Sequence, residues 1–194
     1  MQKLLLSILC LMAFSGCSLK NSAVLIKEHT VNTKVVENKK ANIQTNLSIK
    51  IEPLMTSNIY NTNHMWYKKG SLFSYFAYNQ WVIPPIELIS QNIESELIKH
   101  NIYSGVLTTS SKANTDLTLE IEVVDFYQEF NEQGSHAIMQ IKVNLILNDG
   151  SKLLKTKNFY FVQQCPTNNP NGGVKTFEIL FGLFSNDLIN MLNI

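Results

Sequence analysis

The strongest constraint on the fold is the alternation of apolar and polar residues in the second half of the chain. Leu117 to Val123 and Ala137 to Leu147 carry an apolar side chain at every second position. A period of two is typical of a strand with one buried face. The turn signal Asn148-Asp149-Gly150 then leads into a third run, Lys152 to Val162. This half of the chain therefore predicts an antiparallel three-stranded meander.

Two other segments carry apolar residues at helical spacing. The intervals between Ile86 and Leu97 predict an amphipathic helix from about Pro85 to Lys99. A second helix is predicted from about Val174, after a loop that covers Gln163 to Gly173. The apolar stripe of this second helix contains Phe177, Leu180, Phe181, Phe184, Leu188, Met191 and Leu192.

The first half of the chain predicts shorter strands. Ala23 to Ile26 could form a first strand, and alternation over Leu47 to Ile51 predicts a half-buried one. Met65 to Tyr67 and Leu72 to Tyr78 flank a turn, so they predict a hairpin. Ile102 to Leu107 predicts one more short strand. The order of elements predicts an α+β fold, a mostly antiparallel sheet with two amphipathic helices packed on one face.

The N-terminus has the pattern of an exported lipoprotein. Lys3 precedes an apolar run, Leu4 to Phe14, which is too short to span a bilayer and has the length of a signal-peptide core. Two small residues then precede Cys17. This resembles a bacterial lipobox, in which the cysteine thiol receives diacylglycerol and the signal is cut before it. We therefore expect residues 1–16 to be removed and Cys17 to be the lipid attachment site. The alternative is a secretory signal cut nearby, which leaves Cys17 an ordinary thiol.

The remaining chain divides into a tether and a domain. Residues 17–46 are expected to form the lipidated N-terminus, the possible first strand and a polar loop. Residues 47–194 are expected to form the folded domain. Ser18, where retention at the inner membrane would favour Asp, points to the outer membrane. Cys165 would be the one unmodified cysteine of the mature chain, so no intramolecular disulfide is predicted and a buried thiol is expected.

The composition argues against several functions. The formal charge of +1 falls to zero when Lys3 leaves with the signal, which argues against binding nucleic acid. The chain has no arginine, so no guanidinium clamp for phosphate is available. The four histidines are scattered, and no metal site, cofactor site or catalytic set is predicted. Glu120 and Glu122 are two residues apart on a predicted strand, so they should share a solvated face.

An aromatic segment joins the predicted hairpin to the first helix. It contains Tyr75, Phe76, Tyr78 and Trp81, and it ends in a proline pair suited to the first turn of a helix. This order resembles the ABC-type transport auxiliary lipoproteins, the PqiC-like family, in which an aromatic strand and a Trp precede a proline that opens a helix. The similarity extends over most of the mature chain. Gln80 departs from it, because the family often has Arg before the Trp, and the C-terminal helix matches in character only.

The resemblance implies a periplasmic accessory lipoprotein of an MCE/ABC-type system that transports lipid between the two membranes. It would be anchored in the outer membrane, would dock an MCE-family tube protein and its ABC transporter, and could assemble as a homo-oligomeric ring. No catalysis or cofactor is implied. The alternatives are another envelope-assembly or surface lipoprotein with a scaffold role, and a lipid-anchored hydrolase.

The candidate contact residues lie in and around the aromatic segment. Each could serve either a partner contact or the packing of a strand-to-helix corner, and the sequence leaves both roles open. They are Tyr67, Phe73, Tyr75, Tyr78, Trp81, Pro84 and Pro85.

Overall fold

The computed structural model describes residues 24–31 and 45–193. The predicted signal peptide, the predicted lipid attachment site Cys17 and most of the predicted polar loop lie outside the described residues. The strands are β1 Lys27–His29, β2 Ser48–Ile51, β3 Met55–Thr56, β4 His64–Lys69, β5 Leu72–Trp81, β6 Gly105–Thr108, β7 Leu117–Asn131, β8 Gly134–Leu147 and β9 Leu153–Gln164. The helices are α1 Pro85–His100 and α2 Pro170–Leu192, and a short 3-10 helix spans Asn58–Asn61.

The described strands form one mixed sheet organised around β7. One edge of β7 pairs antiparallel with β8, which pairs with β9, so the predicted meander is confirmed. The other edge pairs in parallel with β2, β3 and β4 at successive positions. Outside these lie β6 next to β2, β5 next to β4, and β1 next to β5.

The α+β class is confirmed, but the sheet is mixed rather than mostly antiparallel. The reason is the length of β7, whose free edge is long enough to pair with three short strands in turn. The first strand was predicted at Ala23 to Ile26, but it lies directly after these residues, at Lys27–His29. There the backbone pairs with Asn79 to Trp81 of β5. The strand predicted at Ile102 to Leu107 begins later, at Gly105.

A β-bulge in β7 changes which residues point inward. Leu117, Leu119, Ile121 and Val123 are buried, as the alternation predicts. The register with β8 shifts between Val123 and Asp125, and the extra residue reverses the alternation. The buried residues after the bulge are therefore Phe126 and Gln128.

Helix α1 matches its predicted bounds to within one residue. Pro85 occupies the first turn, and Asn101 ends the helix in a left-handed conformation with φ of 50°. Its backbone N–H donates to the carbonyl oxygens of Leu97 and Ile98. Both hydrogen bonds satisfy carbonyl groups that the helix end would otherwise leave unpaired.

Helix α2 begins at Pro170, four residues before the predicted Val174. Pro170 suits a first helical turn for the same reason as Pro85. The Asn169 side-chain oxygen accepts a hydrogen bond from the Gly172 N–H at 3.1 Å. A side chain at Gly172 would collide with the Thr167 carbonyl oxygen, so glycine allows the preceding loop to approach the helix closely.

The core lies between the inner face of the sheet and the two helices. The rings of Trp81, Phe126 and Phe177 meet at its centre. The centroid of the Trp81 ring lies 5.7 Å from that of Phe126 and 5.8 Å from that of Phe177. The helices contact each other, and the Ser185 hydroxyl donates to the Asn92 side-chain oxygen at 3.1 Å between them. One hydrophobic cluster therefore joins both helices to the sheet. Among the described residues, no helix is long and apolar enough to cross a bilayer.

Candidate functional site

The face of the sheet opposite the helices carries a row of apolar side chains across five strands. The row follows the pairing register, because directly paired residues share a face. Tyr75 pairs with Trp66, Tyr127 pairs with Ile138, and Ile138 pairs with Val162. Trp66 lies one residue before Tyr67, which pairs with Gln128, so Trp66 and Tyr127 are neighbours. We call this set the outer aromatic row: Tyr75, Trp66, Tyr127, Ile138 and Val162.

Two further rings extend the outer aromatic row on β4 and β5. Phe73 stacks on Trp66 with centroids 5.3 Å apart and meets the edge of Tyr127 at 5.4 Å. His64 stacks on Tyr75 at 4.0 Å. The Trp66 indole N–H donates to the Ile59 carbonyl oxygen at 2.8 Å, which fixes the orientation of that ring. The rings are therefore held by one another and by a backbone group.

Charged side chains lie beside the row, and two of them form an ion pair. The Lys68 ammonium lies 3.2 Å from the Glu129 carboxylate and 6.0 Å from the centre of the Tyr127 ring. The hydrogen bond to Glu129 is the main cause that raises the pKa of Lys68. Removal from water raises the pKa of the Asp125 carboxyl group, and nearby Lys68 opposes this effect. Partial burial likewise raises the pKa of Tyr127.

Much of this apolar surface is open to solvent. Tyr75, Phe73 and Val162 are exposed, and so is Tyr160, which neighbours Val162 along the outer side of β9. Contiguous exposed apolar surface with a polar border is typical of an interaction site. Tyr and Trp are common at the energetic centres of protein interfaces. The row is thus suited to contact another molecule by packing rather than by charge.

The structure separates the candidate contact residues into distinct environments. Trp81 is only 1% exposed, Pro85 is buried, and Pro84 lies directly before α1, so these three form the strand-to-helix corner. Phe73 and Tyr75 belong to the outer face. Tyr67 lies on the opposite face of the hairpin, where its contacts are Phe76 at 4.8 Å and Phe130 at 5.8 Å. Tyr78 is exposed on β5, beside β1.

Four members of the outer aromatic row were not among the candidate contact residues predicted from the sequence: Trp66, Tyr127, Ile138 and Val162. One local signal was present, because Ala137, Ile138 and Met139 are three consecutive apolar residues where alternation predicts a polar one at Ile138. Ile138 is buried although it lies outside the main core cluster. Tyr127 could not be placed, since its face depends on the bulge.

The remaining titratable residues have structural surroundings. Glu120 receives a hydrogen bond from the Asn144 amide at 3.3 Å, and Glu122 lies 4.0 Å from the Lys142 ammonium, on the solvated face predicted for both. Within residues 24–31 and 45–193, no group of three His, Cys, Asp or Glu side chains could hold a metal ion. Cys165 is buried, as expected.

Comparison with known proteins gives matches in structure but none in sequence. No family model matches the chain, and no curated protein matches it. Protein XCC0632 from Xanthomonas campestris, described with the family DUF330, superposes with a TM-score of 0.75 at 12% identity, covering 87% of this chain and 95% of its own. A second crystal structure, of an uncharacterized protein, superposes with a TM-score of 0.65 at 12% identity. The match covers 86% of this chain and 97% of that protein.

A third match is more distant. The hypothetical protein CT253 from Chlamydia trachomatis has a TM-score of 0.52 at 5% identity, covering 77% of this chain and 96% of its own. At these identities the likeness is one of fold. The chain therefore shares the fold of XCC0632 over 87% of its length.

Proposed function

We propose that this protein is an outer-membrane-anchored periplasmic accessory lipoprotein of an MCE/ABC-type intermembrane lipid transport system. In this role the lipid at Cys17 holds the domain at the outer membrane, and the domain docks the tube protein that reaches across the periplasm. Anchoring at one membrane raises the effective concentration of the domain for such a partner. The protein supplies a docking surface rather than a reaction.

The observation that carries the proposal is the fold shared with the DUF330 protein XCC0632, at a TM-score of 0.75 over 87% of this chain. It agrees with two features of the sequence, the lipobox-like residues before Cys17 and the resemblance of the segment from Tyr75 to Pro85 to the PqiC-like family. The outer aromatic row adds a surface suited to docking, because Tyr75 and the adjoining Phe73 are exposed and the rings are pre-positioned by mutual stacking.

Purification of the full-length protein from its native membranes tests the proposal. We expect the mature N-terminus to be an acylated Cys17 by mass spectrometry, and an MCE-family tube protein to co-purify with its permease and ATPase. The Cys17→Ala variant should remain an uncleaved precursor in the inner membrane. An unmodified Cys17 would contradict the anchoring. An acylated protein that retains no transport component in any detergent or nanodisc would instead support a scaffold role in envelope assembly.

A further inference from the structure

Three consecutive aliphatic side chains are exposed just before β1. Val24, Leu25 and Ile26 are 61%, 86% and 52% accessible to solvent. Single exposed apolar residues are common on protein surfaces, but a contiguous group indicates a contact site.

This aliphatic segment is fixed to the domain through β1. Lys27, Glu28 and His29 pair in parallel with Asn79, Gln80 and Trp81. Side-chain hydrogen bonds at 2.9 Å add to this pairing, one between His29 and Asn79 and one from Gln80 to Glu28.

The same register extends the apolar surface onto β5. Continued one residue beyond β1, this register would place Ile26 beside Tyr78, because Lys27 pairs with Asn79. Tyr78 is also exposed. We call Val24, Leu25, Ile26 and Tyr78 the β1 edge surface.

The distance along the chain to the expected lipid attachment site limits where this surface can lie. Val24 lies seven positions after Cys17 along the chain. Even a fully extended chain covers only about 25 Å over that length. The lipid places Cys17 at the surface of the bilayer, so the β1 edge surface cannot lie farther than this from the headgroups.

We propose that the β1 edge surface contacts the bilayer itself and orients the domain on the membrane. This inference rests on the lipid anchor of the proposed function. The three aliphatic side chains enter the boundary between headgroups and acyl chains, where an amphipathic surface is stabilised. The Tyr78 ring suits the same depth, because its hydroxyl can stay among the headgroups. The Lys27 side chain can extend its ammonium toward lipid phosphates while its methylenes cover apolar surface.

An environment-sensitive fluorophore on the acylated full-length protein tests this contact. Leu25→Cys, in a Cys165→Ala background, provides one labelling site once Cys17 carries lipid. The protein is reconstituted into phosphatidylethanolamine and phosphatidylglycerol vesicles that contain nitroxide-labelled lipid. We expect a blue-shifted emission and strong quenching by the nitroxide. The matched control is Leu153→Cys on β9, since Leu153 is as exposed as Ile26, at 53%, but lies on a strand that pairs only with β8 among the described strands.

The outcomes separate this inference from the proposed function. Quenching at position 25 but not at position 153 supports the contact. Equal, weak quenching at both positions in a protein that is acylated and vesicle-bound overturns it and leaves the anchor intact. A blue shift at position 25 that requires an added protein partner also overturns it, because the occupant would then be protein. Failure of acylation at Cys17 instead removes the proposed function and, with it, the basis of this inference.

A second measurement uses the unacylated Cys17→Ser mature chain and vesicles of the same composition. Replacing Leu25 and Ile26 together with Ser should lower its vesicle partition coefficient by about tenfold or more, since both side chains lose a favourable transfer from water. Leu153→Ser should leave the coefficient nearly unchanged. An equal loss in both variants would contradict a specific contact.

Discussion

At the scale of single residues, the position of a ring decides whether it serves the fold or an interface. Trp81 and Phe73 lie on the same strand, eight positions apart, yet Trp81 is enclosed by Phe126 and Phe177 while Phe73 faces solvent. The sequence predicts both as candidate contact residues. Their roles are distinguished by packing, so they can be tested by stability and by binding separately.

Replacing Trp81 with Ala should lower the free energy of unfolding by about 3–5 kcal/mol, because it removes a fully buried ring and leaves a cavity in the core. The measurement is urea denaturation followed by circular dichroism. Phe73→Ala is the comparison, since Phe73 is exposed and its loss should cost about 1 kcal/mol or less. Equal losses for the two variants would show that the core assignment of Trp81 is wrong.

Asp116 should make stability fall in acid. Its carboxylate accepts hydrogen bonds from the Ser48 N–H and hydroxyl, both at 2.7 Å, and these lower the pKa of Asp116 below its ordinary value of 3.8. A carboxyl group with a lower pKa in the folded state contributes stability above its unfolded pKa, and the contribution is lost as pH falls through the folded value.

Unfolding measured from pH 7 to pH 2 should therefore show wild-type stability declining below about pH 4. Asp116→Ala should be less stable than wild type at pH 7 and should lose less on acidification. The two curves should converge at the acid end. Parallel curves over the whole range would mean that the hydrogen bonds to Ser48 do not contribute.

At the scale of elements, local patterns predicted most of the fold and longer-range geometry determined the rest. The meander, the hairpin and α1 follow from alternation, turn residues and the proline pair, which act within a few residues. The start of α2 was missed although Pro170 obeys the same rule as Pro85, because Pro166 and two glycines nearby indicated a loop. The parallel pairing along β7 depends on contacts between distant residues, which no local pattern encodes.

The outer aromatic row is the clearest case of information beyond local pattern. Its members come from five strands, and they align only through the pairing register. The face of Tyr127 in particular depends on the bulge at Val124, because an unbroken alternation from Leu117 would point Tyr127 into the core. The bulge therefore determines both the end of the core and the centre of the exposed row.

Inserting one Ala after Val124 should destabilise the protein by roughly 3 kcal/mol or more, since a second extra residue would move Phe126 and Gln128 to the outer face. Thermal unfolding of the insertion variant measures this. Insertion of one Ala after Lys112, in the loop before β7, is the matched control and should have a small effect, because exposed loops tolerate changes in length. An insertion after Val124 that is as stable as the insertion after Lys112 would contradict the role of the bulge.

At the scale of the whole molecule, the core and the outer aromatic row occupy opposite faces of one sheet. Both helices cover the inner face, so substitutions at exposed residues of the outer face, such as Phe73 and Tyr75, can alter binding without opening the core. The β1 edge surface is a third region, at the side of the sheet from which the chain leads back toward Cys17. A membrane contact at that edge would leave the outer face accessible to a protein partner.

Binding to the tube protein proposed as partner tests the outer face directly. Tyr75→Ala should keep the wild-type melting temperature, because Tyr75 is exposed and its loss leaves no buried cavity. It should weaken binding by about tenfold, the effect of losing an aromatic residue from the centre of an interface. The assay is calorimetry or pull-down with the acylated protein in nanodiscs. Leu183→Ala is the matched control, since Leu183 on α2 is also 44% exposed but lies on the helical side. If both variants bind as the wild type does, the outer aromatic row is not the docking surface, and the partner must contact the domain elsewhere.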